Sequence, residues 1–169
     1  MKLLPWFERE FFFGFKPQML PFLLERLEGT VPRLRHKVQG YREPDLSARL
    51  DGKWSIKETI GHLGDVDEIA LRRIDEIITG MSPMSPAVIQ PRQDYNAMSI
   101  RDVIDFFTGN REKNLQRYRT LGEDDLVKTS IHPRLKVVMS PVDLAWFDAE
   151  HDDHHLAHIN NILKRLNAR

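Results

Sequence analysis

The chain has 169 residues, 25 basic and 25 acidic, with 41% hydrophobic residues and no cysteine. This balance lacks the basic excess of a nucleic-acid or anionic-membrane binder. The missing thiols exclude disulfides, thiolate zinc sites and a cysteine nucleophile, and they fit a reducing cytoplasm. No apolar run is long enough to span a bilayer, and the length suits a single domain over residues 1–169.

Residues 1–16 are an aromatic extension with Trp6, Phe7, Phe11, Phe12, Phe13 and Phe15. Glu8, Arg9 and Glu10 interrupt it and no small-residue cleavage site follows, so it does not read as a signal peptide. It is expected to pack on the body or on a partner subunit. From Pro17 to Gln39, Leu20, Leu23, Leu24, Leu27, Val31, Leu34 and Val38 follow three-and-four spacing and predict a helix. Gly29 and Pro32 predict a kink or break near Thr30. Gly40 to Lys53 reads as a loop.

Ser55-Ile56-Lys57-Glu58 is a capping box that opens a second helix running to about Thr79, with Ile56, Ile60, Leu63, Ile69, Ile74 and Ile77 inward. Trp54, just before the capping serine, reads as a hydrophobic staple. Met81 to Met98 is a long irregular connection whose Tyr95 and Asn96 could line a site, as connections of that length often do. The third helix runs from Ser99 to about Leu121, burying Ile100, Val103, Ile104, Phe107, Leu115 and Tyr118 and leaving Arg111 and Arg117 on an exposed face. The link from Gly122 to Ser140 contains His132-Pro133, read as a surface loop, and Leu135 to Met139, a short extended piece. Ser140 caps the fourth helix, Pro141 occupies its first turn, and the helix continues nearly to Arg169. Four long helices predict an all-α four-helix bundle, an architecture in which metal sites are built from inward-facing side chains of different helices.

Four of the seven histidines, His151, His154, His155 and His158, lie within eight residues of that last helix. Side chains four apart share a helix face, which offers two pairs, His151 with His155 and His154 with His158. Two imidazoles hold a divalent ion poorly, so a third ligand is needed, and His62 is available on the second helix. A solvated polar face, with Asp152 and Asp153 adding to it, competes with this reading, and His36 reads as a surface residue. The zinc-protease motif is excluded, because Asp152 rather than glutamate follows His151.

Trp54-Ser55-Ile56-Lys57-Glu58-Thr59-Ile60-Gly61-His62-Leu63 resembles the second-helix motif of the DinB-like (DinB/YfiT) metal-binding proteins. His151-Asp152-Asp153-His154-His155-Leu156-Ala157-His158-Ile159 is similar to their fourth-helix motif, and the turn Leu27-Glu28-Gly29-Thr30 recurs in relatives. The resemblance covers about Leu20 to Leu166. It implies an up-down-down-up four-helix bundle, often dimeric, with zinc or nickel held by His62, His151 and His155. His154 and His158 then lie around that site.

Three histidines leave coordination positions open, as in catalytic sites, where a water or thiol is ionised at neutral pH. Glu58 and Asp148 are candidates, by helical spacing, to hold the second nitrogens of these imidazoles. The family resembled includes transferases that use low-molecular-weight thiols, so the resemblance implies a metal-dependent thiol S-transferase acting on a small-molecule substrate. A metal-dependent hydrolase and a non-enzymatic, stress-associated metal-binding bundle are the alternatives. The expected partner is a second copy, forming a homodimer, rather than nucleic acid or membrane.

Overall fold

The computed structural model describes residues 3–88 and 90–168. The first two residues of the aromatic extension and Arg169 lie outside them. Seven α-helices are described: α1 (Leu20–Glu28), α2 (Thr30–Val38), α3 (Glu43–Leu46), α4 (Ile56–Ile78), α5 (Ile100–Arg119), α6 (Glu123–Leu126) and α7 (Pro141–Asn167). The long ones form an all-helical bundle. The first predicted helix divides at Gly29 into α1 and α2. The predicted loop after it contains the short α3. Strands β1 (Ser130–Ile131) and β2 (Val138–Met139) pair antiparallel, so the extended piece is shorter than Leu135 to Met139.

The helix starts follow from side-chain caps. Ser55 with Glu58 and Ser140 with Asp143 form complete capping boxes, while Ser99 accepts from the Asp102 amide. Asp143 does more than cap its helix. Its Oδ1 accepts the amides of Gly14 and Phe15 at 2.7 and 3.0 Å, anchoring the N-terminal arm to the start of α7.

Side-chain pairings give the helix directions. Along α4 and α5 they rise together: Gly64 with Asn110, Asp67 with Asn114, Asp75 with Arg117. Along the first helical pair and α7 they also rise together: Arg26 with Glu150, Thr30 with Asp152, Lys37 with Asn160, Tyr41 with Asn167. Asp51 meets Arg165 while His62 meets His151, so α4 runs against α7. Two parallel neighbours cannot be joined by a tight turn, which accounts for the long connection between α4 and α5.

The core has two adjoining parts. Leu34, Ile56, Ile60, Leu63, Phe107 and Ile159 pack at one end, and Leu23, Ile74, Ile77, Tyr118, Val142 and Leu144 at the other. Glycine decides one contact beside the future site. A Cβ on Gly61 would lie 2.3 Å from the Tyr95 ring, so the residue before His62 must lack a side chain. Among the described residues no helix is long and apolar enough to cross a membrane.

Candidate metal centre

α4 and α7 bring His62, His151 and His155 together. His62 Nε2 lies 3.3 Å from His151 Nε2, which lies 3.1 Å from His155 Nε2. Burial pushes His62 down to about 4. Burial, with the neighbouring histidines, pushes His151 and His155 well below the ordinary imidazole range. All three are therefore neutral at pH 7, the form that ligates metal.

Each neutral ring has one proton for two nitrogens. If Nδ1 carries it, three Nε2 lone pairs converge. The Nδ1 atoms of His151 and His155 are moreover buried without a hydrogen-bond partner. A cation between the Nε2 atoms takes the converging lone pairs, while the Nδ1 atoms of His151 and His155 keep no partner among the described residues. Nitrogens at about 2.0–2.1 Å from one tetrahedral ion stand about 3.3–3.4 Å apart, close to the observed separations. The residues present fit a divalent ion.

The triad opens on a cavity of about 550 Å³. Trp6 and Phe7 of the arm, Val66 and Ile69 of α4, and Phe147 of α7 give it apolar walls. The Trp6 ring lies 5.1 Å from His151 and 5.6 Å from His154. Three sequence expectations change here. Trp54 is a wall of the cavity rather than only a staple, with its ring 4.8 Å from His62. The long connection contributes Pro86 and Ala87, while Tyr95 is buried with its hydroxyl donating to Asp65 at 2.7 Å, and Asn96 accepts from Ser55. His132 is buried in the cavity wall instead of lying on the surface, because the β1–β2 hairpin folds it inward.

Neither expected buttress holds an imidazole. Glu58 caps α4 and pairs with Arg49, which, with the Ser55 amide, brings it down to about 2 against the opposing effect of burial. Asp148 lines the cavity, but its Oδ2 has no partner, and burial together with Asp67 pushes it up to about 8. His154 lines the cavity beside the triad, whereas His158 does not, and His36 is exposed.

Arg111, expected on an exposed face, is only 2% exposed. It donates to Asp67 at 2.9 Å, to Asp152 at 3.0 Å and to the Leu27 carbonyl at 3.3 Å. Thr30 Oγ1 donates to the other Asp152 oxygen. This buried network ties α1, α2, α4, α5 and α7 together one residue away from His151. Arg117 does stay near the surface, paired with Asp75.

Sequence reading missed Arg73, which lines the cavity and is 7% exposed. Its signal was available: it follows His62 by eleven residues, about three helical turns, and so lies on the same face of α4.

Residues 23–159 match the family described as the DinB superfamily. A protein of Oceanobacillus iheyensis named "Putative metal-dependent hydrolase OB0413" is 27% identical over 143 residues, 80% of each chain. In fold, the chain is similar to YfiT from Bacillus subtilis, described as "a probable metal-dependent hydrolase with an unusual four-helix bundle topology" (TM-score 0.81, 17% identity, 94% of each chain). It is also similar to the mycothiol-dependent maleylpyruvate isomerase (TM-score 0.65, 11% identity, 82% of this chain and 59% of that one). With the family match extending from α1 into α7, the chain belongs to the DinB superfamily.

Proposed function

We propose that this protein is a divalent-metal-dependent enzyme, holding zinc or nickel through His62, His151 and His155, and that it transfers a low-molecular-weight thiol to an electrophilic small molecule. The observation that carries the reading is the convergence of three neutral imidazoles at the wall of an open cavity. A bound ion supplies Lewis acidity that ionises a thiol or water at neutral pH. The chain supplies the rest. Trp6, Phe7, Trp54 and Phe147 wall the site and keep bulk water from the reacting atoms. The thiol releases its proton to solvent, its sulfur bonds to the electrophilic carbon, and the leaving group departs with the electrons of the broken bond and takes up a proton from solvent.

A cavity of about 550 Å³ has room for a thiol and an acceptor side by side. Such a cavity supports an enzyme over a bundle that only stores metal. The name of the Oceanobacillus relative favours a second reading, in which water takes the thiol's place and the reaction is hydrolysis. The reading places the protein in the cytoplasm as a homodimer, with the exposed Phe12 and Phe22 available for pairing.

The test is metal analysis of the purified protein, then turnover of an electrophilic acceptor with several thiols, with and without chelator. We expect about one ion per chain, none in His62→Ala, and thiol-dependent turnover that chelator abolishes. Turnover without thiol selects hydrolysis, and chelator-insensitive turnover overturns both readings.

A further inference from the structure

We propose that Arg73, His132 and Arg134 form a carboxylate-binding subsite in the cavity wall, making the substrate a small organic acid held by its carboxylate with its reacting end at the histidine triad. This names the substrate class for the proposed enzyme and rests on that reading only for the position of the reacting end.

Arg73 is buried, yet among the described residues no carboxylate lies within ion-pair distance of it; Glu76 pairs with the neighbouring Arg72 instead. Its Nε is buried and has no acceptor. Asp148, on the same wall, makes no hydrogen bond or ion pair with it. The nearest polar contact makes the imbalance worse. His132 Nδ1 accepts the amides of Arg134 and Leu135 at 3.3 and 3.1 Å. The proton of the neutral ring therefore sits on Nε2, 3.2 Å from Arg73 Nη1. A guanidinium donor and an imidazole donor face each other with no acceptor supplied by the protein. At the cavity rim the Arg134 guanidinium stands 4.5 Å over the Phe7 ring.

A buried cation that faces another donor, with the Asp148 and Glu76 carboxylates acting on it only from beyond ion-pair distance, is costly unless an anion completes it. The planar fork of Arg73 matches a carboxylate. About 16 Å of helix separates the Cα atoms of His62 and Arg73, and side chains on a helix lean toward its N-terminus, so Arg73 leans back toward the triad. The ligand is accordingly elongated, with its anion at one end.

The experiment is calorimetric titration of the metal-loaded protein with 4-phenylbutanoate, its uncharged amide and phenyl phosphate. We expect the acid to bind at least tenfold more tightly than the amide. Arg73→Met should weaken the acid at least tenfold with metal content unchanged, and should melt no lower than wild type, since it removes a buried unpaired charge. If that variant does not fold, Arg73→Lys keeps the charge and loses the fork, and at least fivefold weakening is expected. Arg134→Gln should weaken the acid two- to fivefold. Equal binding of acid and amide, wild-type affinity in the Arg73 variant, or tighter Arg73-dependent binding of phenyl phosphate overturns the proposal. Binding lost in His62→Ala but kept in the Arg73 variant places the carboxylate on the metal and overturns it too. Arg73-dependent binding in a protein that purifies without metal removes the enzyme reading and leaves this subsite standing.

Discussion

His132 shows how one side chain carries both electrostatic and structural consequences. Burial, with Arg73 and Arg134 nearby, pushes it down to about 4. Between pH 6.5, the ordinary imidazole value, and about 4, the unfolded chain binds a proton that the folded chain refuses. Its contribution to stability is full above 6.5 and is lost as pH falls through that window. His132→Gln should flatten part of the acid limb of a stability-against-pH curve, measured by urea unfolding of metal-free protein; an unchanged slope would show that His132 is protonated in the fold. Glu58 acts at lower pH: its carboxyl is held at about 2 in the fold, so its contribution is full above about 4.5, the ordinary value, and is lost as pH falls from there to about 2. The histidine triad was readable because a four-residue spacing fixes a shared helix face whatever the tertiary structure. His132 was not, because a two-residue strand pairing turns it inward and no local pattern announces that pairing.

At the scale of elements, α4 is where packing and site geometry meet. Its Gly61 and Gly64 face the Tyr95 and Phe106 rings, so that aromatic side chains lie directly on the helix backbone next to His62. Gly61→Ala should displace the Tyr95 ring, break its bond to Asp65 and destabilise the fold by about 1–3 kcal/mol despite alanine's better helix propensity. Thermal melting measures this, and a stabilised variant would contradict the contact. At the start of α7, Ser140→Ala should cost about 1 kcal/mol through loss of the cap. The helices themselves were legible from three-and-four spacing and cap residues. Arg111 was misassigned even though it lies four residues from both Phe107 and Leu115, on the buried stripe itself. Charge suggested solvent, and only the arrival of Asp67 and Asp152 from other helices makes burial tolerable.

The whole molecule depends on that ionic junction. Removing one partner of a buried ion pair typically costs about 3–5 kcal/mol. Arg111→Met should fall in that range by denaturant unfolding, because it leaves Asp67 and Asp152 buried together. A near-neutral effect would mean that the two carboxylates share a proton in the variant. The proposed homodimer is checked by light scattering: Phe12→Ser with Phe22→Ser should shift the mass to a monomer, and an unchanged dimer would place the interface elsewhere.

His62 and His151 are 89 residues apart in the chain. A contact that distant closes a large loop, and such contacts form late, after local helices and their nearer neighbours have assembled. An ion held between α4 and α7 would therefore act on kinetics in one direction only. Metal should slow unfolding and leave the refolding rate unchanged, since interactions absent from the transition state act on the unfolding rate. In stopped-flow measurements with and without chelator, only the unfolding limb should move. The ion would be a latch on an assembled bundle, setting how long the fold persists rather than how quickly it is reached.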